Sequence, residues 1–232
     1  MSKSYQVPIK ERLVNLVVKN FFRLICKTDD AQLPRVPQAG PLIITTNHVN
    51  FIEGPILYTH LQPRDLSGFA KIETWDSRPM GWLFDVWGAI PIRRGEADIS
   101  AIKDGVAALK TGQTLAIAPE GTRSNHGRLQ KGYPGIVMLA LRSGSPLIPI
   151  ACYGHETYRS DLKRLRRTQM NIRVGRVFRL HPGEQRVNGA VRQQMTDEIM
   201  YQIAALLPPE YRGEYSDLSK TTTHYLRFEN NQ

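Results

Sequence analysis

Short apolar runs, each closed by polar or turn-forming residues and separated by stretches of helical spacing, constrain this chain more than any other feature. The runs are PLIITT at 41–46, LSGFA at 66–70, AIPIR at 89–93, TLAIA at 114–118, PLIPIAC at 146–152 and MNIRVGRVFRL at 170–180. Helices are expected over 53–62, 79–87, 98–111, 134–143 and 190–206. Runs that are apolar at successive positions belong to strands buried on both faces, and the intervening helices supply the cover. The pattern therefore predicts an α/β fold, a single layered domain with a largely parallel central sheet flanked by helices. At 232 residues the chain is long enough to bury one such core. Ligands of these sheets gather where strands leave into loops. The loops after the first, third and fourth runs are TNHVNFIEG, RRGEA and PEGTRSNHG, so polar and charged residues stand where a site belongs.

Ahead of the sheet lies PIKERLVNLVVKNFFRLIC, residues 8–26. Val14, Val17, Val18, Phe21, Leu24 and Ile25 recur there at helical spacing, Leu13 and Phe22 widen the stripe, and Arg12, Lys19 and Arg23 gather opposite. A cationic face opposite a wide apolar one suits a helix lying in a lipid headgroup layer. It also suits a helix packed on its own domain, and both readings stand. Residues 1–30 are taken as an amphipathic membrane-interface segment, 31–210 as the body of the protein, and 211–232 as a polar, loosely ordered tail.

The net charge of +10 and a pI near 9.8 call for an anionic partner. Lys163, Arg164, Arg166, Arg167, Arg173 and Arg176, between Arg159 and Arg179, form either a solvated face or a grip on anionic headgroups. No aromatic platform or recognised motif accompanies them, so nucleic acid is set aside. Cys26 and Cys152 are too few for a disulfide framework and form no CxxC pair; no metal is expected. No stretch approaches the ~20 apolar residues of a spanning helix. GRLQKGYP at 127–134 has P-loop glycine spacing, but Tyr133 and Pro134 stand where a lysine and a hydroxyl are needed. The pair His155 and Glu156 is followed by Arg159 rather than the second histidine of HExxH. His126 is read as a surface-loop residue, and His60, His181 and His224 fit no pattern.

Within TNHVNFIEGP, His48 precedes Glu53 by five residues. A regular helix would set two such side chains about 140° apart, so contact between them requires an irregular turn. Alone, the spacing fits either a site or an ordinary histidine in a strand-to-helix loop. In PIRRGEAD, Arg93 and Arg94 follow a strand directly. In APEGTRS, Gly121 permits close backbone approach and Arg123 offers a planar fork of donors suited to phosphate.

These blocks, taken in order, resemble the glycerolipid acyltransferases, the lysophosphatidic acid acyltransferase family. The resemblance rests on NHVNFIE at 47–53, GAIPIRR at 88–94, PEGTRS at 119–124 and PLIPIA at 146–151, with looser similarity at AKIE around Lys71. It implies transfer of a fatty acyl group from a thioester of coenzyme A or acyl carrier protein to a hydroxyl of a phosphorylated glycerol lipid. His48 would be the general base and Glu53 the acid that orients its ring. Arg94, Glu120, Gly121, Thr122 and Arg123 match positions that hold the acceptor's phosphate; Asn47, Lys71 and Arg93 are further candidates. The family's usual acid is aspartate, so Glu53 is a departure: it lengthens the side chain by one methylene and sets the loop farther from His48.

A free imidazole has a pKa near 6.5 and accepts protons at neutral pH, which suits general-base work. A thioester is already activated, and no GxSxG nucleophile elbow is present, so direct attack by the acceptor hydroxyl is expected. Backbone N–H groups around Asn47 to Asn50 are the suggested oxyanion donors. No cofactor is expected beyond the thioester co-substrate. The acceptor is glycerol 3-phosphate, lysophosphatidic acid or another lipid alcohol, and the location is peripheral, on the cytoplasmic face of a membrane. Two alternatives on the same scaffold are a non-catalytic anionic-lipid-binding protein and an acyl thioesterase.

Overall fold

The computed structural model describes residues 7–93 and 98–229. The expected strands form as β2 (Leu42–Thr46), β3 (Leu66–Lys71), β4 (Ile90–Ile92), β5 (Thr114–Ile117) and β6 (Leu147–Tyr153). The helices follow as α1 (Ile9–Ile25), α2 (Glu53–His60), α3 (Arg78–Val86), α4 (Ile99–Lys110), α5 (Gly135–Ser143) and α7 (Gly189–Ala204). Among the elements without a sequence signal are β1 (Cys26–Asp29) and α6 (Tyr158–Lys163). The caps have ordinary causes: Asp98 accepts from the Ala101 N–H at the start of α4, and Gly144 closes α5 in the left-handed region.

Run 170–180 does not form one strand. It divides into β7 (Thr168–Val174) and β8 (Phe178–Leu180). The break lies opposite Pro149 of β6, which has no N–H for the ladder; a Cβ on Gly175 would sit 2.6 Å from the proline ring. The chain bends there, with the Gly175 N–H on the Pro149 carbonyl.

The strand order is β1-β7-β6-β2-β5-β3-β4, and β8 pairs with both β6 and β9 (Leu226–Phe228). Pairings of β2 with β5 and β6, of β3 with β4 and β5, and of β1 with β7 are parallel; those involving β6 with β7 or β8, and β8 with β9, are antiparallel. Alternation along the strands makes two cores. Leu42 and Ile44 join Ile56, Leu57 and Trp87 on the α2 side, while Ile43 joins Leu139, Leu109 and Ile199 on the α4, α5 and α7 side. Because β2, β4, β5 and β6 run the same way, the loops carrying His48, Arg93, Glu120 and His155 all leave one edge of the sheet.

The tail is not loose. Its short 3₁₀ turns pack Tyr215 beside Tyr201 and Leu129, while Tyr225 and Leu226 enter the second core and β9 extends the sheet. Helix α1 packs on its own domain along one side and leaves apolar residues outward on the other. Val18, Phe22 and Ile25 pack on the sheet, and buried Asn15 accepts from Trp87 Nε1–H, yet Ile9, Leu13, Leu16, Val17, Phe21 and Leu24 face solvent. Among the described residues no helix is long and apolar enough to cross a membrane.

Candidate active site

Strand β2 ends at Thr46, and the chain curls before α2 begins at Glu53. Asn50 makes the curl, its Oδ1 accepting from the Ile52 N–H at 2.9 Å. The turn carries the Glu53 carboxylate back under the loop, where Oε1 accepts from His48 Nδ1–H at 2.6 Å and from the Val49 N–H at 2.9 Å. The Asn50 N–H reaches both oxygens, at 3.1 and 3.2 Å. This is the irregular turn that a five-residue separation demands.

Glu53 is buried, while the His48 side chain keeps 21% of its surface exposed. Burial alone would raise the Glu53 carboxyl. Hydrogen bonds donated by His155 and His48 more than offset it and hold the group at about 2. An ionised Glu53 fixes the His48 tautomer with the proton on Nδ1, and no described residue hydrogen-bonds Nε2.

The neighbouring loop clamps His48 from both sides. Its N–H donates to Glu120 Oε1 at 2.7 Å, and its carbonyl accepts from the Ser124 N–H at 2.8 Å. The Asn125 N–H then bonds the Val49 carbonyl at 2.9 Å. Glu120 is buried, with Oε2 on the Gln130 N–H at 2.9 Å, and burial pushes its carboxyl up to about 7, aided by the charge of Glu53. Glu120 thus braces two loops, whereas Thr122 and Arg123 project into solvent. Gly121 takes φ of +67°, which lets the loop turn outward after the brace. Beside it opens a cleft of about 590 Å³ lined by Thr122, His126, Arg128, Lys131 and Tyr133, together with Glu120.

The other candidates scatter. Asn47 is buried and doubly bonded to Cys152, Nδ2–H to the carbonyl at 2.7 Å and Oδ1 from the N–H at 2.8 Å, so it pins the loop to β6. Lys71 pairs with Glu73 at 3.0 Å, and the Arg93 N–H bonds Asp98 at 3.0 Å. Arg94 lies outside the described residues. The suggested oxyanion donors are occupied: the N–H groups of His48, Val49 and Asn50 serve Glu120 and Glu53. Sequence reasoning missed His155, whose buried Nε2–H donates to Glu53 Oε2 at 3.0 Å. Its one available signal was its place just after a strand at the same sheet edge.

A parallel sheet with a solvent-reaching histidine on a buried carboxylate, next to a glycine- and arginine-bearing loop, defines an α/β protein equipped for base chemistry at its strand ends. The acyltransferase family model matches residues 27–153, more than half of the chain, and the chain belongs to that family. It is 29% identical over 132 residues to the 1-acyl-sn-glycerol-3-phosphate acyltransferase BAT2, chloroplastic, of Brassica napus, covering 55% of this chain and 38% of that protein. It is 32% identical over 122 residues to the lyso-ornithine lipid O-acyltransferase of Pseudomonas aeruginosa, covering 52% and 45%. The chain thus matches less than half the length of these two relatives. The crystal structure of the 1-acyl-sn-glycerophosphate (LPA) acyltransferase PlsC of Thermotoga maritima aligns over 84% of this chain and 78% of its own, with a TM-score of 0.60 at 18% identity, and shares the fold.

Proposed function

We propose that this protein moves a fatty acyl group from a thioester of coenzyme A or acyl carrier protein to a hydroxyl of a glycerol-phosphate lipid such as 1-acyl-sn-glycerol 3-phosphate. The observation that carries the reading is the 2.6 Å contact of a partly exposed His48 with a buried, ionised Glu53. Nε2 of His48 takes the hydroxyl proton as the oxygen attacks the thioester carbonyl and a C–O bond forms. The tetrahedral intermediate collapses with cleavage of the C–S bond, and the proton on Nε2 passes to the departing sulfur. Glu53 holds the ring and stabilises its protonated form throughout. Thr122 and Arg123, exposed beyond the clamp, hold the acceptor's phosphate with Arg94, while the backbone at Gly121 admits close approach.

On this reading the protein sits on a membrane surface as a peripheral protein, with the cytoplasmic face as the side expected. The outward apolar face of α1, flanked by Arg12, Lys19 and Arg23, supports this, as do exposed Leu162 and Leu165 of the α6 region. Arg167 ties that region to the end of α1 by bonding the Arg23 and Cys26 carbonyls, both at 2.7 Å. A cation-flanked apolar surface fits an anionic headgroup layer.

The test is thiol release from palmitoyl-coenzyme A, and from palmitoyl acyl carrier protein, on vesicles with lysophosphatidic acid, with glycerol 3-phosphate, and with neither. Release that requires an acceptor and disappears in His48→Ala is expected. Undiminished turnover in that variant overturns the role of His48. Acceptor-independent release identifies a thioesterase, and salt-sensitive vesicle binding without release from either carrier identifies a non-catalytic lipid-binding protein.

A further inference from the structure

His155 lies in the loop after β6, 102 residues from Glu53 in sequence, with none of its surface exposed. Its place is set from two sides. Asn50 Nδ2–H bonds its carbonyl at 2.9 Å, while the paired amide of Asn47 fixes Cys152 three residues earlier. Those asparagines belong to the loop that carries His48, so the loop itself presents His155 to the carboxylate.

Among the described residues the ring has one hydrogen-bond partner. Nε2 meets Glu53 Oε2 at 3.0 Å, and Nδ1 is buried with no hydrogen-bond partner. A proton on Nε2 leaves Nδ1 only a vacant lone pair, whereas a second proton would bury an unpaired N–H donor, the costlier state. The pattern therefore assigns a neutral ring that donates to Glu53. Each carboxylate oxygen then has its own imidazole, His48 on Oε1 and His155 on Oε2. Without His155, Oε2 would keep only the 3.2 Å contact from the Asn50 N–H. Oε1 would still hold His48, Val49 and Asn50, but a buried, charged Oε2 left with one long contact draws the carboxylate toward its remaining backbone donors and loosens the Oε1–His48 contact.

We propose that His155 is a positioning residue for the general base, holding the far oxygen of Glu53 so that the near oxygen stays on His48. The same chain of contacts accounts for glutamate at position 53. An aspartate there withdraws the carboxylate by about 1.5 Å, one carbon–carbon bond, and cannot span both rings. The longer acid and the buried histidine form one unit. The reaction assigned to that unit rests on the function proposed above.

The variants are His155→Leu, which fills the site without a donor, His155→Gln, whose amide N–H reaches the same oxygen, and each combined with Glu53→Asp. In His155→Leu kcat falls roughly 10- to 100-fold, part of the 10²- to 10⁴-fold that a general base supplies, while KM for donor and acceptor stays within about twofold. His155→Gln restores kcat to within about threefold, and Glu53→Asp costs less beside His155→Leu than alone. A kcat for His155→Leu within threefold of wild type, a compensating rise in KM, or failure of His155→Gln to rescue overturns the proposal. Proton NMR of the downfield imidazole N–H signals reads the geometry without turnover. The His48 Nδ1–H signal is expected in the wild type and in His155→Gln and is lost in His155→Leu; its persistence in His155→Leu overturns the positioning role whatever the activity. If the wild type shows the signal but no acyl transfer, and His155→Leu loses the signal, the positioning role stands and the proposed reaction alone is overturned.

Discussion

Helix α1 presents to water the kind of surface that helices normally hide, and the membrane affinity proposed for it scales with how much is left outside. Leu13 is 59% exposed and Leu24 74%. Fully burying a leucine is worth ~1.5–3 kcal/mol, so the two together, with rather more than one leucine's surface in water, gain about 2–4 kcal/mol on entering a bilayer. Replacing both by glutamine forfeits that gain and weakens partition onto vesicles roughly 30- to 1,000-fold. The assay is sedimentation with vesicles containing a third anionic lipid, read at low and high salt, with the thermal midpoint as control. The inward residues Asn15, Phe22 and Val18 are untouched, so the midpoint is expected to stay within about 2 °C. Neutralising Arg12 and Lys19 instead removes about 1 kcal/mol each and abolishes only the salt-sensitive share. A change in partition below about threefold for Leu13→Gln/Leu24→Gln, or a midpoint that falls as for a core substitution, refutes the assignment of this face to lipid.

Two further predictions concern stability. The Glu120 carboxyl stands at about 7 in the fold against an ordinary 4.5. The raised value means that the stabilisation by its protonated form is fully present below about pH 4.5 and is lost as pH rises through about 7, a swing of about 3 kcal/mol. Urea midpoints of Glu120→Gln therefore change less between pH 5 and pH 8 than those of the wild type; equal changes in the two proteins would rule out this titration. At Gly213, φ is +49° and a Cβ would lie 2.0 Å from the Leu129 carbonyl oxygen. Gly213→Ala is expected to cost about 2 kcal/mol or more and to lower the thermal midpoint by roughly 4–8 °C, which a freely moving tail would not register.

The parallel strands were legible because uninterrupted apolar runs have few places to go. PLIITT and PLIPIAC lie at the middle of the sheet, where both of their faces are covered. What escaped the sequence depends on pairs far apart along it. The division of 170–180 comes from Pro149 meeting Gly175 across the sheet; the glycine stands within the run, but the proline that meets it does not. The tail was misjudged because Tyr215, Tyr225 and Leu226 enter the core singly, without the period that marks an element. At the site, the His48–Glu53 pair could be suspected from its spacing. The bracing contacts of Glu120, and the presence of His155, required knowing which backbone donors face them.

The clamp between the two loops separates what must stay fixed from what is free to vary. Glu120, Ser124 and Asn125 hold the backbone of His48 and Val49, while Thr122 and Arg123 hang outside those bonds. On the function proposed above, substitutions at 122 and 123 would alter the headgroup that the loop meets without shifting His48. Such an arrangement would favour diversification: if the proposed roles hold, new acceptors are reached by exchanging two solvent-facing side chains, whereas an insertion between 119 and 125 would slip the register of the clamp and unseat His48 for every acceptor at once.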